Sequence, residues 1–367
     1  MDLPERKIRK AIADGRAGQL VLSPKKLWLR ISENCNLKCV GCWTPDKFFR
    51  EYATVDDVKA MLTSEIDVDE ISFTTNEAML NPNFPEIIQL CRNIHPNARL
   101  WVVTNAMVAI SGRFAEAISM LDKVSLSIDG STKETFESIR VGSNFDRFIR
   151  NTTKIVDIAN KTGRPNEITF GFTATATNLH QLSDVIRLAR RLQVSNVWAQ
   201  PMEIKSDDIE IAISDIHIDN LDPTERRRIV DEAIRTANDE DIPFYFSEGL
   251  HPTDGTSVRL PDPKSDAIRP DDKFDYTFVR KCQYPWREPV QLVKWEHGNV
   301  ARPCCYILPT DRENRILAHD FGLLFELTDS ASEIYNSDAM WDFREAMIDG
   351  RAIALCGKCD AARSYQP

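Results

Sequence analysis

From Lys26 to about Met202 the chain alternates short runs rich in β-branched residues with longer stretches whose apolar positions recur every three or four residues. The short runs predict strands at 27–32, 70–74, 100–104, 123–128, 168–173 and 196–200. Between them the longer period predicts helices over 54–63, 84–93, 112–121, 145–162 and 179–192. Strand followed by helix, repeated, builds a parallel sheet with crossover helices. Six such units occupy about 180 residues, too few for a closed eight-stranded barrel, so the expected architecture is α/β with a curved, open six-stranded sheet. Ligands of such sheets sit beyond the carboxyl ends of the strands.

After residue 203 the pattern loosens. A helix is predicted near 223–238 and a strand-like run at 242–246, while 252–272, rich in Pro, Asp, Ser and Gly, reads as a long loop, either a cover for a site or without fixed structure. The division that follows is an N-terminal helical extension (1–25), the α/β domain (26–203), a bridging region (204–280) and a cysteine-rich C-terminal domain (281–367). The basic residues Arg6, Lys7, Arg9 and Lys10 suit the solvated face of the first segment.

The net charge of -10 argues against broad electrostatic capture of nucleic acid, and no apolar run approaches the roughly 18 residues that would span a membrane. There are nine cysteines, but with no signal peptide before them and with ligand-like spacings they point to metal chemistry in the reducing cytoplasm rather than to disulfides.

Cys35, Cys39 and Cys42 lie in the run Cys-Asn-Leu-Lys-Cys-Val-Gly-Cys-Trp, directly after the first predicted strand. A structural zinc ion takes four protein ligands, whereas a [4Fe-4S] cluster held by three thiolates keeps one iron open to a reacting group. A second set, Cys282, Cys304, Cys305, Cys356 and Cys359, crowds the last quarter of the chain, and its Cys-x2-Cys pair with two further thiols would satisfy tetrahedral zinc as well as a cluster. Cys91, on an apolar helix face, reads as a packed core thiol.

The Cys-x3-Cys-x2-Cys spacing resembles the radical S-adenosylmethionine (SAM) superfamily, and further motifs extend the likeness along the first domain. Thr75-Asn76-Glu77-Ala78 stands where the family usually has Gly-Gly-Glu-Pro, Thr104-Asn105-Ala106 is similar to its Thr-Asn-Gly, and Ser125-Leu126-Ser127-Ile128-Asp129-Gly130 with Arg140-Val141-Gly142 is similar to its Ser-Leu-Asp-Gly and Arg-Gly. The resemblance implies a partial (β/α)6 TIM-like barrel, with Cys35, Cys39 and Cys42 holding a [4Fe-4S] cluster whose open iron binds SAM. It also implies that Glu77 and its loop receive SAM's ammonium group and that Asn105 points into the strand-end crevice. Ser127 and Asp129 would address SAM's polar groups, and Arg140 would clamp its carboxylate. Gly41 stands where the family often has an adenine-stacking aromatic residue, so Trp43 either takes that role or packs in the core.

The C-terminal run Cys-Gln-Tyr-Pro-Trp, then Gly-Asn-Val-Ala-Arg-Pro-Cys-Cys, then Cys-Gly-Lys-Cys, is similar to the SPASM or twitch extension of many radical SAM enzymes. That likeness implies an auxiliary [4Fe-4S] cluster on Cys282, Cys304, Cys356 and Cys359, with Cys305 as a spare ligand or as the catalytic thiol that returns a hydrogen atom. A zinc ribbon is the alternative.

The implied function is a radical SAM oxidoreductase. It would cleave SAM reductively to a 5'-deoxyadenosyl radical, with electrons from a flavodoxin or ferredoxin type donor, and would oxidise or epimerise its substrate. Only about 25 residues precede the first strand, short of the roughly eighty of a peptide-recognition domain, which favours a small polar metabolite of sugar, aminocyclitol or nucleoside type. Modification of a peptide or maturation of a protein is the alternative.

Overall fold

In the computed structural model of the chain, the described residues are 25–42, 52–62, 68–74, 76–162, 166–202, 215–247, 249–251, 290–295, 298–302, 325–326, 331–338 and 340–341. All six expected strands are present near their expected bounds: β1 (Lys26–Arg30), β2 (Glu70–Phe73), β3 (Arg99–Thr104), β4 (Lys123–Ser127), β5 (Glu167–Ala174) and β6 (Asn196–Pro201). They alternate with α1 (Val55–Met61), α2 (Phe84–Ile94), α3 (Arg113–Ser119), α4 (Lys133–Ile139), α5 (Phe145–Thr162) and α6 (Leu182–Arg191). The short helix α4 was not expected. Thr132 caps its N-terminus by accepting from the Thr135 amide, and its seven residues are too few to show a clear period.

The alternation continues past the sixth strand. Helix α7 (Pro223–Asp239) leads to β7 (Phe244–Phe246), which pairs parallel with β6. On the other side, β8 (Val290–Trp295) pairs parallel with β1 and turns into β9 (Gly298–Arg302), an antiparallel hairpin partner that in turn pairs with β10 (Phe325–Glu326). The sheet order is β10-β9-β8-β1-β2-β3-β4-β5-β6-β7. The strand-like run at 242–246 therefore belongs to the sheet rather than to a loose bridge. A short helix, α8 (Ala331–Tyr335), follows β10.

The two faces of the sheet differ in kind. Leu27, Leu29, Ile71, Phe73, Leu100, Val102, Val124, Leu126, Phe170, Phe172, Val197 and Ala199 alternate along their strands onto one face and are almost wholly buried. Helices cover that face and pack on one another in succession, α1 on α2, α2 on α3, α3 on α5 and α6 on α7. The opposite face carries register rows such as Trp28, Ser72, Trp101, Lys123 and Glu167. A doubly wound sheet would be apolar on both faces, so one-sided patterning marks a helix-backed partial barrel with an accessible inner face. Cys91 is buried on α2, and burial pushes its thiol up to about 12, as befits a core residue. Among the described residues no helix is long and apolar enough to cross a membrane.

Candidate radical centre at the carboxyl ends of the strands

The cysteine loop leaves the carboxyl end of β1 and is shaped locally before any ligand is considered. Ser32 Oγ donates to the Asn34 carbonyl and accepts from the Asn34 amide, folding the chain just ahead of Cys35. Asn81 Nδ2 donates to the carbonyls of Ile31 (2.8 Å) and Ala53 (2.9 Å), joining the chain leaving β1 to the chain entering α1. The Cys42 amide donates to the Cys39 carbonyl at 3.2 Å, and Gly41 within that turn has φ +68°. A glycine precedes the third cysteine because the turn places its third residue in the left-handed region.

Arg140 reaches the site through backbone stitching. Lys38 donates its amide to the Val141 carbonyl and Val40 to the Ile139 carbonyl, both at 2.9 Å, so Arg140 stands opposite Cys39. Its Nη1 lies 3.9 Å from Cys39 Sγ. Its Nε lies 2.8 Å from Asp129 Oδ2, an ion pair whose N–H direction falls off the line of a true hydrogen bond. Asp129 Oδ1 accepts from the Thr173 amide at 2.8 Å. The close seating of α4 needs Gly130, where a Cβ would come within 2.7 Å of the Phe136 nitrogen. Asp129 and Arg140, expected to meet separate groups of SAM, are thus paired with each other.

Glu77 is wholly buried. Its Oε1 accepts from Thr104 Oγ1 (2.8 Å) and the Met79 amide (3.3 Å), and its Oε2 from the Asn105 amide (2.7 Å). Burial pushes this carboxyl up to about 7 despite those donors. Glu77 therefore ties the loop after β2 to the end of β3. Asn105, held this way, directs Nδ2 to Asn36 Oδ1 at 2.8 Å and to Cys35 Sγ at 3.7 Å. Its side chain is thus turned toward the cysteine loop.

Two positions where the family has glycine reach the same backbone shape by other means. Asn76 has φ +53°, which asparagine tolerates, and its Nδ2 donates to the Ser32 carbonyl at 3.2 Å. Ala106 has φ +59°, a conformation that costs alanine about 1 kcal/mol. Asn151 Nδ2 offsets this by gripping the Ala106 (2.7 Å) and Val108 (2.9 Å) carbonyls.

Ser127 lies half-buried at the end of β4 on the inner face. Trp43, Cys282, Cys304, Cys305, Cys356 and Cys359 lie outside the described residues. The residues missed in the sequence are amides, namely the buried Asn81, Asn151 and Asn178 and the exposed Asn36. Asn178 Nδ2 donates to the Asp129 carbonyl at 3.0 Å and to the Thr173 carbonyl at 2.9 Å, locking the β4 and β5 loops together. The available signal was an asparagine repeatedly placed in or beside strand-end loops.

Cys35, Cys39 and Cys42 form no disulfide and are partly accessible. Burial raises the Cys39 thiol to about 11, Arg140 pulling the other way and the nearby Asp129, Cys42 and Cys35 adding to the rise. Cys35 is raised chiefly by burial as well. Neighbouring thiols held protonated by burial, as at Cys35 and Cys39, are converted to thiolates when cationic metal binds them. Among the described residues no three His, Cys, Asp or Glu side chains converge as ligands of a single metal ion. The donor set suits a polynuclear iron–sulfur cluster, with Asn105 and Arg140 directed at two of its sulfur ligands.

Residues 29–173 match the family model described as the Radical SAM superfamily and form a radical SAM domain. An uncharacterized protein of Methanocaldococcus jannaschii is 31% identical over 160 residues, covering 42% of this chain and 54% of that relative. GTP 3',8-cyclase of Clostridium botulinum is 23% identical over 187 residues, covering 48% of this chain and 57% of the relative. The chain spans little more than half the length of these curated relatives. Among solved structures, Streptococcus suis SuiB superposes with a TM-score of 0.63 at 14% identity, covering 97% of this chain and 75% of that one. Native anSMEcpe with bound AdoMet and Kp18Cys peptide gives 0.55 at 16% identity, covering 92% and 86%. At these identities the likeness is one of fold.

Proposed function

We propose that this chain, whose residues 29–173 form a radical SAM domain, is an oxidoreductase that cleaves SAM reductively and oxidises or epimerises a small polar metabolite of sugar, aminocyclitol or nucleoside type. The observation that carries the reading is that three cysteines outside any disulfide share one strand-end loop, with an amide and a guanidinium directed at two of the sulfurs. When bound, the cluster and SAM supply a 5'-deoxyadenosyl radical that removes hydrogen from an unactivated carbon. The chain's own contribution is to hold and shield them. Cys35, Cys39 and Cys42 hold iron, Asn105 and Arg140 face the ligating sulfurs, and Glu77 and Asn81 fix the loops around them. Trp43 would stack on adenine, and Ser127 would meet SAM's polar groups.

In the same proposal Cys282, Cys304, Cys356 and Cys359 hold an auxiliary [4Fe-4S] cluster that accepts the substrate's electron, in a SPASM or twitch domain over 281–367. Cys305 would return a hydrogen atom if the outcome is epimerisation. The β8–β9 hairpin, with Trp295 paired to Gly298 and its second strand ending at Arg302, two positions before Cys304 in the sequence, supports this assignment. A flavodoxin or ferredoxin type protein would supply electrons. A second reading, modification of a peptide, is favoured by the fold-level likeness to SuiB, which was solved bound to its precursor peptide SuiA.

The test is iron and acid-labile sulfide content, with electron paramagnetic resonance after dithionite reduction, on anaerobically purified chain and on the Cys35→Ala/Cys39→Ala/Cys42→Ala variant. About eight irons per chain should fall to about four, with SAM perturbing only the wild-type signal. About four irons falling to none would remove the auxiliary cluster from the proposal, and wild-type chain that never cleaves SAM would overturn it.

A further inference from the structure

The inner face holds a feature that the SAM chemistry does not use. Register pairs place Ser127, Gly171, Trp198 and Tyr245 in one row across β4, β5, β6 and β7. Residues in such a row share one side of the sheet. Trp198 is 40% exposed, and it and Val141 are the large apolar side chains left exposed among the described residues. Its flanking neighbours in the strand, Val197 and Ala199, point to the other face and are buried. The indole therefore does not serve the core.

Two details turn exposure into shape. Gly171 leaves the row recessed beside the indole, and a Cβ there would come within 3.3 Å of Ser125 Oγ, tighter than ordinary packing allows. Trp198 Nε1 donates to Gln200 Oε1 at 3.3 Å, so the ring's polar edge is engaged along its own strand while the side chain stays 40% exposed. The row carries no charged side chain. Of the charges near this face, Glu70, Arg99, Lys123 and Glu167 lie nearer the opposite, N-terminal ends of the strands, and at the C-terminal end Arg30 is paired with Glu33 and Asp129 with Arg140. A recessed, uncharged surface beside an oriented aromatic ring suits a flat, neutral partner.

We propose that Trp198 is the platform on which a planar, uncharged heterocyclic ring of the substrate stacks, which narrows the substrate class to nucleoside-like compounds. The proposal rests on the radical SAM reading, since that reading is what places a reacting substrate over this face. Trp198 is in this account a specificity-determining residue. Ser127, at the start of the row, lies on the side of the cysteine loop.

The test uses full-length reconstituted chain, with guanosine as the planar probe and methyl α-glucoside as the saturated one, titrated by ligand-observed saturation-transfer NMR. Trp198→Leu keeps apolar bulk and removes the flat ring; Trp198→Phe keeps a flat ring. Guanosine should bind wild type, weaken roughly 5- to 100-fold with Trp198→Leu, and stay within about threefold with Trp198→Phe. Failure of wild type to bind guanosine, equal binding to wild type and Trp198→Leu, or a preference for the saturated ring would each overturn the platform. SAM is titrated against the same proteins, and a loss of SAM affinity in Trp198→Leu would assign the indole to SAM's adenine and overturn the substrate assignment. Absence of SAM cleavage by wild type is a separate failure, of the radical reading, because guanosine binding is read without turnover.

Discussion

The two ends of the inner face are built from the same strands and handle charge in opposite ways. At the N-terminal end Arg99 faces Glu70 (3.9 Å) and Glu167, Lys123 Nζ lies 2.9 Å from Glu167, and Asn196 Nδ2 donates to Glu167 Oε1 at 3.0 Å. Burial works to raise the Glu167 pKa, but Lys123, Asn196 and Arg99 outweigh it, and the carboxyl ends below its ordinary value. At the C-terminal end no cation among the described residues makes an ion pair with Glu77, whose donors are neutral, and burial drives it up to about 7. The Cys35 and Cys39 thiols there are driven up as well. One end compensates its own charges and holds shape. The other keeps buried acidic groups whose ionised forms call for positive charge, as a site for iron and a sulfonium cofactor would.

Breaking the Asp129–Arg140 pair at the C-terminal end should have the largest effect. Asp129→Ala would leave Arg140 buried without its carboxylate, costing about 3–5 kcal/mol in urea denaturation. Asp129→Asn, which still accepts from the Thr173 amide, should cost less. Wild-type stability in Asp129→Ala would mean that Arg140 finds solvent or another partner, and the pair would then not be what positions it beside Cys39.

The fold was legible because the strands carry one clean apolar face. Leu27 and Leu29, Ile71 and Phe73, and Leu100 and Val102 mark strands in any reading, and the spacing of Cys35, Cys39 and Cys42 singles out the loop after the first of them. The extent of the sheet was less legible. Phe244–Phe246 is only three residues long, too short for alternation to decide, and its place beside β6 is set by α7 packing on α6. The buried ties were not legible at all. Whether Glu77 faces a ligand or the Asn105 amide depends on the side-chain direction of a left-handed turn at Asn76, and no periodicity encodes that.

The uncompensated carboxyl sharpens the contrast through pH. In the folded chain Glu77 titrates at about 7 against an ordinary 4.5, so folding favours its protonated form. Its stabilising contribution is complete below pH 4.5 and is lost as pH rises through 7, by up to about 3 kcal/mol. Measured in the Cys35→Ala/Cys39→Ala/Cys42→Ala background, which removes both cluster and thiol titration, the unfolding free energy should fall over that interval. Adding Glu77→Gln should flatten the fall. Equal slopes with and without Glu77 would show that the three donors stabilise the carboxylate enough to cancel its burial.

The smallest effect should come from the compensated end. Glu167→Gln removes the charge that Arg99 and Lys123 share, but those side chains are 44% and 21% exposed and Glu167 is 33% exposed, so solvent screens the loss to about 1 kcal/mol or less at neutral pH. The sign runs opposite to Glu77. A lowered pKa gives stability that is present above the ordinary carboxylate range and lost as pH falls through the depressed value, so wild type and Glu167→Gln should converge in acid. They should also converge in high salt, which screens a surface network far more than a buried one. SAM cleavage by Glu167→Gln should stay within about twofold of wild type, because a self-compensated network at the far end of the strands contributes shape rather than chemistry. A large loss of cleavage with unchanged stability would instead carry electrostatic influence the length of the strands, and the division between a structural and a functional end would fail.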